Sequence, residues 1–154
     1  MKQNMNDLGL LMIKLENNQR NSRILDTAKK IYENNPYSQV CIFNSYSELI
    51  DNKNIPILHI SDSKFFNGNL LVLDIPSLIL SKNFPNIQNR FFYAENIPWT
   101  ESYEDYSYWE SIFKHPNLKI ITKNQTLSDI YEICWTKPLG ISENLDYDDI
   151  KHFL

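Results

Sequence analysis

A carboxylate and an indole, Glu95 and Trp99, stand four residues apart just beyond the apolar run Phe91-Phe92-Tyr93-Ala94. A strand-end carboxylate beside an aromatic platform suits a polar ring such as a sugar. The same pair also reads as a loop glutamate and an anchoring tryptophan. A second carboxylate, Asp62, closes the stretch His59-Ile60-Ser61-Asp62. A carboxylate next to a histidine can do acid–base work. Alternation along a strand sets His59 and Ser61 on one side and Asp62 on the other, so Asp62 also reads as a helix cap.

A third group is the polar stretch Asn17-Asn18-Gln19-Arg20-Asn21-Ser22-Arg23. It lies between a first strand and a first helix, and a helix N-terminus attracts anions. Arg20 and Arg23 can hold a phosphate or carboxylate there, or they are two solvated arginines of a capped loop. From Phe91 to Phe113 there is no lysine or arginine, while Glu95, Glu101, Glu104, Asp105 and Glu110 sit among Trp99, Tyr103, Tyr106, Tyr108 and Trp109. Tyr103 and Tyr108 fall off the expected buried stripe. With the acids they make either a contact surface for a basic partner or a solvated helix face.

Several chemistries are excluded. There are three glycines in 154 residues, and neither GxxxxGK[ST] nor GxGxxG occurs. Phosphate-cradling loops need closely spaced glycines so that backbone amides can approach the anion, which argues against a P-loop NTPase or a dinucleotide dehydrogenase. GxSxG and HExxH are also missing. Cys41, Cys134 and the three histidines are scattered, so no metal site and no disulfide framework are expected. Two isolated thiols suit a reducing compartment, and a cytoplasmic location is the expectation. No run approaches the roughly 20 apolar residues of a membrane span. A formal net charge of −4 gives no basic face for nucleic acid.

The elements that must position these residues follow from periodicity. Leu8 to Leu15, Gln39 to Phe43, Ile55 to Ile60, Leu70 to Leu73, Arg90 to Tyr93 and Leu118 to Ile121 read as six strands. A helix after the first strand carries Ile24, Leu25, Ala28, Ile31 and Tyr32 on one face, capped by Asn21 or Ser22 and ended by Asn34-Asn35-Pro36. Ser45 and Glu48 have capping-box spacing for a short helix, and Ser77 to Leu80 is another helical piece. Ser102 and Asp105 cap a helix with Tyr106, Trp109, Ile112 and Phe113 inward. Thr126 and Asp129 cap the next, with Leu127, Ile130, Tyr131 and Cys134 inward. Pro138 to Ile141 runs extended, and Tyr147 to Leu154 closes as a helix. Strands apolar throughout and alternating with helices predict one α/β domain, a doubly wound Rossmann-like layer of mostly parallel strands. Its crevice forms at the ends of the first, fourth and fifth strands.

From Asn117 onward the sequence reads NLKIITKNQTLSDIYEICWTKPLGISENLD. This resembles the end of the N-terminal half of GT-B glycosyltransferases, where a strand and helix lead to a Pro-hydrophobic-Gly-hydrophobic hinge and an Asn near an Asp. The middle, from Phe66-Asn67-Gly68-Asn69-Leu70 through Phe91-Phe92-Tyr93 to Trp99, resembles small glycosyltransferase-like proteins of T4-like marine phages. The resemblance implies a half domain binding a sugar, nucleotide-sugar or glycosylated acceptor. In that family the second half carries most of the nucleotide-sugar site, so turnover is expected to need a partner chain or a homodimer. Glu95 and Asp62 become the candidate catalytic carboxylates, and Asn17, Asn18, Arg20, Ser61, Trp99 and Asn144 the candidate ligand-binding residues. No cofactor beyond a nucleotide-sugar donor is expected. Two other readings remain open: a non-catalytic phage accessory module binding a host or virion protein, and a small metal-dependent hydrolase using Asp62, Asp74 or Glu95.

Overall fold

Stretches such as Val40-Cys41-Ile42-Phe43 and Leu70-Leu71-Val72-Leu73 are apolar at consecutive positions, so a strand built from them must be covered on both faces. The computed structural model describes residues 7–34, 39–47 and 54–154 and shows that cover. In chain order the strands are β1 (Leu8–Leu11), β2 (Lys14–Leu15), β3 (Val40–Asn44), β4 (Tyr46–Ser47), β5 (Ile57–His59), β6 (Gly68–Val72), β7 (Ile87–Ala94), β8 (Leu118–Thr122) and β9 (Gly140–Ile141). The helices are α1 (Gln19–Asn34), α2 (Ile75–Ser81), α3 (Tyr106–Phe113), α4 (Gln125–Cys134) and α5 (Tyr147–Ile150), with single-turn or short 3-10 segments at Ile60–Phe65 and Pro98–Thr100.

Seven strands form one sheet in the order β5-β3-β1-β6-β7-β8-β9, while β2 and β4 pair separately. Every neighbouring pair is parallel. The chain winds outward from β1 to β3 and β5, returns to place β6 beside β1, and winds the other way to β9. This is the doubly wound, Rossmann-like α/β arrangement, with its switch point between β1 and β6.

Side chains alternate between two cores. Leu8, Leu10, Val40, Ile42, Leu71 and Phe91 pack with Ile24, Leu25, Ala28 and Ile31 of α1 and Ile150 of α5. Leu11, Cys41, Phe43, Leu70, Val72 and Phe92 pack on the other face with Leu78 of α2, Trp109, Ile112 and Phe113 of α3, and Tyr131 of α4. Burying a leucine such as Leu10 or Leu71 contributes about 2 kcal/mol, whereas an exposed ion pair contributes about 0–1 kcal/mol. Burial therefore sets the strand order, and the surface charges follow it. Burial also pushes the Cys41 thiol up to about 12, with nearby Asp7 adding to the effect, so this cysteine is a packed apolar group and not a nucleophile.

The first apolar run does not continue as one strand to Leu15. At Ile13 the backbone N–H leaves the ladder and donates to Asp74 Oδ2 at 2.8 Å. The Ile13 carbonyl accepts from the Ser45 amide and, at 2.7 Å, from the Ser45 hydroxyl. Ser45 is thus a link between two loops and not a helix cap; Glu48, its expected partner, lies outside the described residues, as do Asn35 and Pro36.

Three helices start earlier than the spacing predicts because an Asx side chain upstream reaches the helix amides. Asn18 Oδ1 accepts from the Asn21 amide at 2.9 Å, Asp74 Oδ1 from Ser77, and Asn124 Oδ1 from Leu127 at 2.9 Å. Asn outranks Thr as a cap, which explains why Asn124 takes the place expected of Thr126. The buried Asn21 carboxamide instead donates to the Glu16 carbonyl. Asp105 caps α3 as expected. The buried stripes are narrower than predicted, since Tyr32 and Tyr106 are largely exposed. The helix after Asp146 is one turn, and Phe153 and Leu154 beyond it pack into the core as a tail.

Gly68 is demanded by its backbone, and Gly140 makes room for a ring. Gly68 has φ +150°, and a Cβ there would stand 2.6 Å from the Asp7 carbonyl oxygen. At Gly140 a Cβ would fall 2.2 Å from the ring of Phe153.

At the amino edge of the sheet the buried Arg90 guanidinium donates to the Ser81 hydroxyl at 3.1 Å and to the Ser81 carbonyl, closing the C-terminus of α2. Beside it lies a cavity of about 10 Å³ lined by Lys82 and His115, among others. His115 Nδ1 is buried with no hydrogen-bond partner among the described residues.

Two outcomes are expected. Asp74→Ala removes the cap of α2 and the partner of the Ile13 amide, and chemical denaturation should show a loss of about 2–3 kcal/mol. His115 is held below the ordinary histidine value by burial first, then by Arg90 and Lys82. The unfolded chain therefore binds the proton more readily. The His115 contribution to stability should be level above about pH 6.5 and fall as pH drops through that value towards the folded one. Melting curves of His115→Gln should show a shallower acid slope than the parent.

Candidate functional site

In an open parallel sheet the backbone parts at the switch point, and loops leave the carboxyl edge toward opposite faces. Here β1 feeds α1 on one face and β6 feeds α2 on the other. The crevice between them holds an ion pair that joins residues 75 positions apart. Arg20, in the first turn of α1, donates from Nε to Glu95 Oε2 at 2.8 Å, and its Nη2 stands 2.6 Å from the same oxygen. Nη2 also donates to the Leu73 carbonyl at 2.7 Å. Glu95 is the residue after β7, and Leu73 the residue after β6, so the guanidinium ties α1 to the ends of two strands.

The pair separates two lobes that share Arg20, Tyr93 and Glu95. One lobe, of about 210 Å³, lies between α1 and the segment after β9, and adds Gln19, Arg23, Lys123, Glu143 and Asn144. The other, of about 370 Å³, lies over the N-terminus of α2 and adds Leu73, Asp74, Pro76, Phe92 and Asn96. The second alone is within the ~300–1,000 Å³ of small-molecule sites. The first is rich in charge: Arg20, Arg23 and Lys123 face Glu95 and Glu143.

The wall of the first lobe is built by hydrogen bonds across the sheet edge. The Tyr93 hydroxyl lies 2.8 Å from the Ser142 carbonyl and 3.0 Å from that of Glu143, sharing its proton between them. Burial, with Glu95 next, raises the Tyr93 phenol well above its ordinary value, so it stays a donor. Arg23 Nη1 donates to Asn144 Oδ1 at 2.5 Å. Leu145 holds φ 57°, an uncommon conformation for a branched residue. Its side chain is buried, and its carbonyl accepts from the Thr27 hydroxyl at 2.8 Å. These contacts outweigh the strain of the turn and fix Asn144 beside α1.

Of the residues singled out in the sequence, Arg20, Arg23, Glu95 and Asn144 line the first lobe, and Arg20, Asp74 and Glu95 the second. Asn18 is engaged as the cap of α1, and Asn17 is exposed next to it; neither lines a lobe. Trp99 turns away from Glu95. It sits in the Pro98–Thr100 turn with its ring edge-on to Phe113, Tyr131 and Trp135 at centroid distances of 5.5, 5.0 and 5.3 Å. It is the anchoring tryptophan of the second core and not a platform beside the acid.

Ser61 and Asp62 follow β5, four strand spacings from β7, or about 19 Å away. His59 Nδ1 is occupied by Ser61, accepting from its amide and lying 2.8 Å from its hydroxyl. His59 rather than Asp62 caps this 3-10 segment, and Asp62 is exposed. The structure therefore does not bring Asp62 and Glu95 to one site. Tyr93, Lys123 and Glu143 carry no sequence signal beyond standing at strand ends. Asp74 gives both carboxylate oxygens to backbone amides. Among the described residues no group of three or more acids, histidines or cysteines is gathered as a metal site. No helix is long and apolar enough to cross a membrane among the described residues.

Fold and site together define a Rossmann-like α/β domain with a polar crevice at the switch point. No protein-family model matches the sequence, and comparisons with curated proteins and with solved structures return no significant similarity.

Tyr93→Phe deletes the bond from β7 to the segment after β9 without changing the ring. Denaturant unfolding should show a loss of about 1–2 kcal/mol, and hydrogen exchange at 142–145 should quicken.

Proposed function

We propose that this chain binds a sugar, nucleotide-sugar or glycosylated acceptor in the crevice, as a glycosyltransferase-like half domain of the kind its sequence resembles. The observation that supports this best is the meeting of Arg20 and Glu95 between two lobes at the carboxyl edge of β1, β6 and β7. Hydroxyls of a sugar ring are donors and acceptors, and the lobes offer Glu95, Asn144 and Asn96 to them. Arg23 and Lys123 suit a phosphate in the first lobe. Glu95 is the carboxylate in position for proton transfer from an acceptor hydroxyl.

A second reading rests on Tyr103. It is fully exposed, next to the exposed Glu101 and Glu104. An exposed aromatic among acids suits a basic protein partner, which is the surface a non-catalytic phage accessory module needs.

The test is a thermal-shift screen against nucleotide-sugars, nucleotides and short glycans, with the oligomeric state recorded. A true ligand at about 100 times its dissociation constant adds roughly 2.7 kcal/mol to stability. The expected result is a shift with at least one of them that shrinks in Asn144→Ala. No shift with any probe counts against the crevice reading and moves the search to partners of the Tyr103 surface.

A further inference from the structure

We infer that the Arg20–Glu95 bridge is an exchangeable bar across the crevice: a phosphate-type anion takes the Arg20 guanidinium, and Glu95 is released as a free carboxylate between the two lobes. This rests on the reading of the crevice as a binding site and adds which chemical group of the ligand operates it.

The bridge is placed to be exchanged. Its side chains are 39% and 29% exposed, so water and salt already compete for it, and such pairs hold weakly. Arg20 touches only one Glu95 oxygen, Oε2, through Nε and Nη2. A phosphate presents several oxygens to the same fork and matches it better. The guanidinium does not depend on Glu95 for its position. Nη2 is held by the Leu73 carbonyl at the end of a fully buried strand, and α1 is fixed by the Asn18 cap. Arg20 therefore stays when Glu95 leaves.

The surroundings favour the exchange in one direction. With Glu95 off the guanidinium but still in the crevice, the first lobe presents Arg20, Arg23 and Lys123 against Glu95 and Glu143. The lobe keeps one cation in excess, and the freed guanidinium lies beside Arg23 and Lys123, which favours an anion over a neutral ligand. Since Arg20 and Glu95 line both lobes, their separation also opens one lobe to the other. A neutral sugar has no charge with which to displace Glu95. The carboxylate thus becomes available for proton transfer only when an anionic ligand is in place.

The experiment is calorimetric titration of the whole chain with inorganic pyrophosphate and with inorganic phosphate at constant ionic strength. It compares the parent, Glu95→Gln and Arg20→Gln. Exchange requires that Glu95 competes with the anion, so Glu95→Gln should bind pyrophosphate about threefold to fivefold more tightly than the parent. Arg20→Gln should bind at least about tenfold more weakly. If Arg20→Gln fails to fold, Glu95→Gln alone decides. Equal or weaker binding by Glu95→Gln overturns the bar. Absence of pyrophosphate and phosphate binding to both parent and Glu95→Gln, with a neutral glycan still shifting the melting temperature, overturns the bar and leaves the crevice reading standing. Silence from anions and glycans alike overturns both.

Discussion

Where β1 ends, the Ile13 amide loses its ladder partner, and where β6 ends, the first amides of α2 have none inside the helix. The Asp74 carboxylate accepts from both sides, Ile13 on one oxygen and Ser77 on the other. The two elements leave toward opposite faces of the sheet at this point. Any parallel sheet that winds both ways must tolerate such a parting, and buried amides without partners are costly. One side chain thus satisfies the backbone at the position where the fold opens. Everything that makes the crevice follows: the exit of α1, the carbonyl of Leu73 turned toward Arg20, and the room over the N-terminus of α2.

The layer architecture was legible in the residues because burial on both faces writes itself as consecutive apolar positions. Val40 to Phe43 and Leu70 to Leu73 could be read no other way as strands. Six of the seven sheet strands fall on apolar runs of the sequence, the first only over Leu8–Leu11, and the seventh, Gly140–Ile141, lies in a stretch that reads as extended chain. The caps were less legible. Asn18 and Asn124 each have polar neighbours of similar capping strength, and which carbonyl oxygen reaches an amide depends on the path of the preceding loop. The break at Ile13 was not legible at all, since its cause is Asp74, 61 residues away.

The same distinction governs the site. Glu95 stands out as a charged residue at a strand end, and Arg20 as one at a strand–helix junction. Their pairing needed the strand order, which brings the ends of β6 and β7 beside the start of α1. Trp99 misled because sequence proximity to Glu95 does not fix direction: the turn at Pro98 sends the indole to Phe113 and Tyr131, where apolar burial is available. Asp62 misled for the opposite reason. A strand-end carboxylate looks alike after any strand, and only the order of the sheet shows that β5 is an outer edge far from the switch point.

The contact of Phe153 with Gly140 bears on how this chain can drift over generations. The ring occupies the volume that any side chain at position 140 would need. A larger residue at 140 needs the ring at 153 to shift or be trimmed, whereas a shorter residue at 153 opposite glycine meets no clash. Relatives of this chain should therefore carry a side chain at 140 chiefly where the residue at 153 is shorter than an aromatic ring. A side chain at 140 opposite an aromatic ring at 153 should be rare. A dependence of this kind links the last strand to the tail across 13 residues, and it makes the pair a register mark by which distant members could be aligned when the rest of the sequence has diverged.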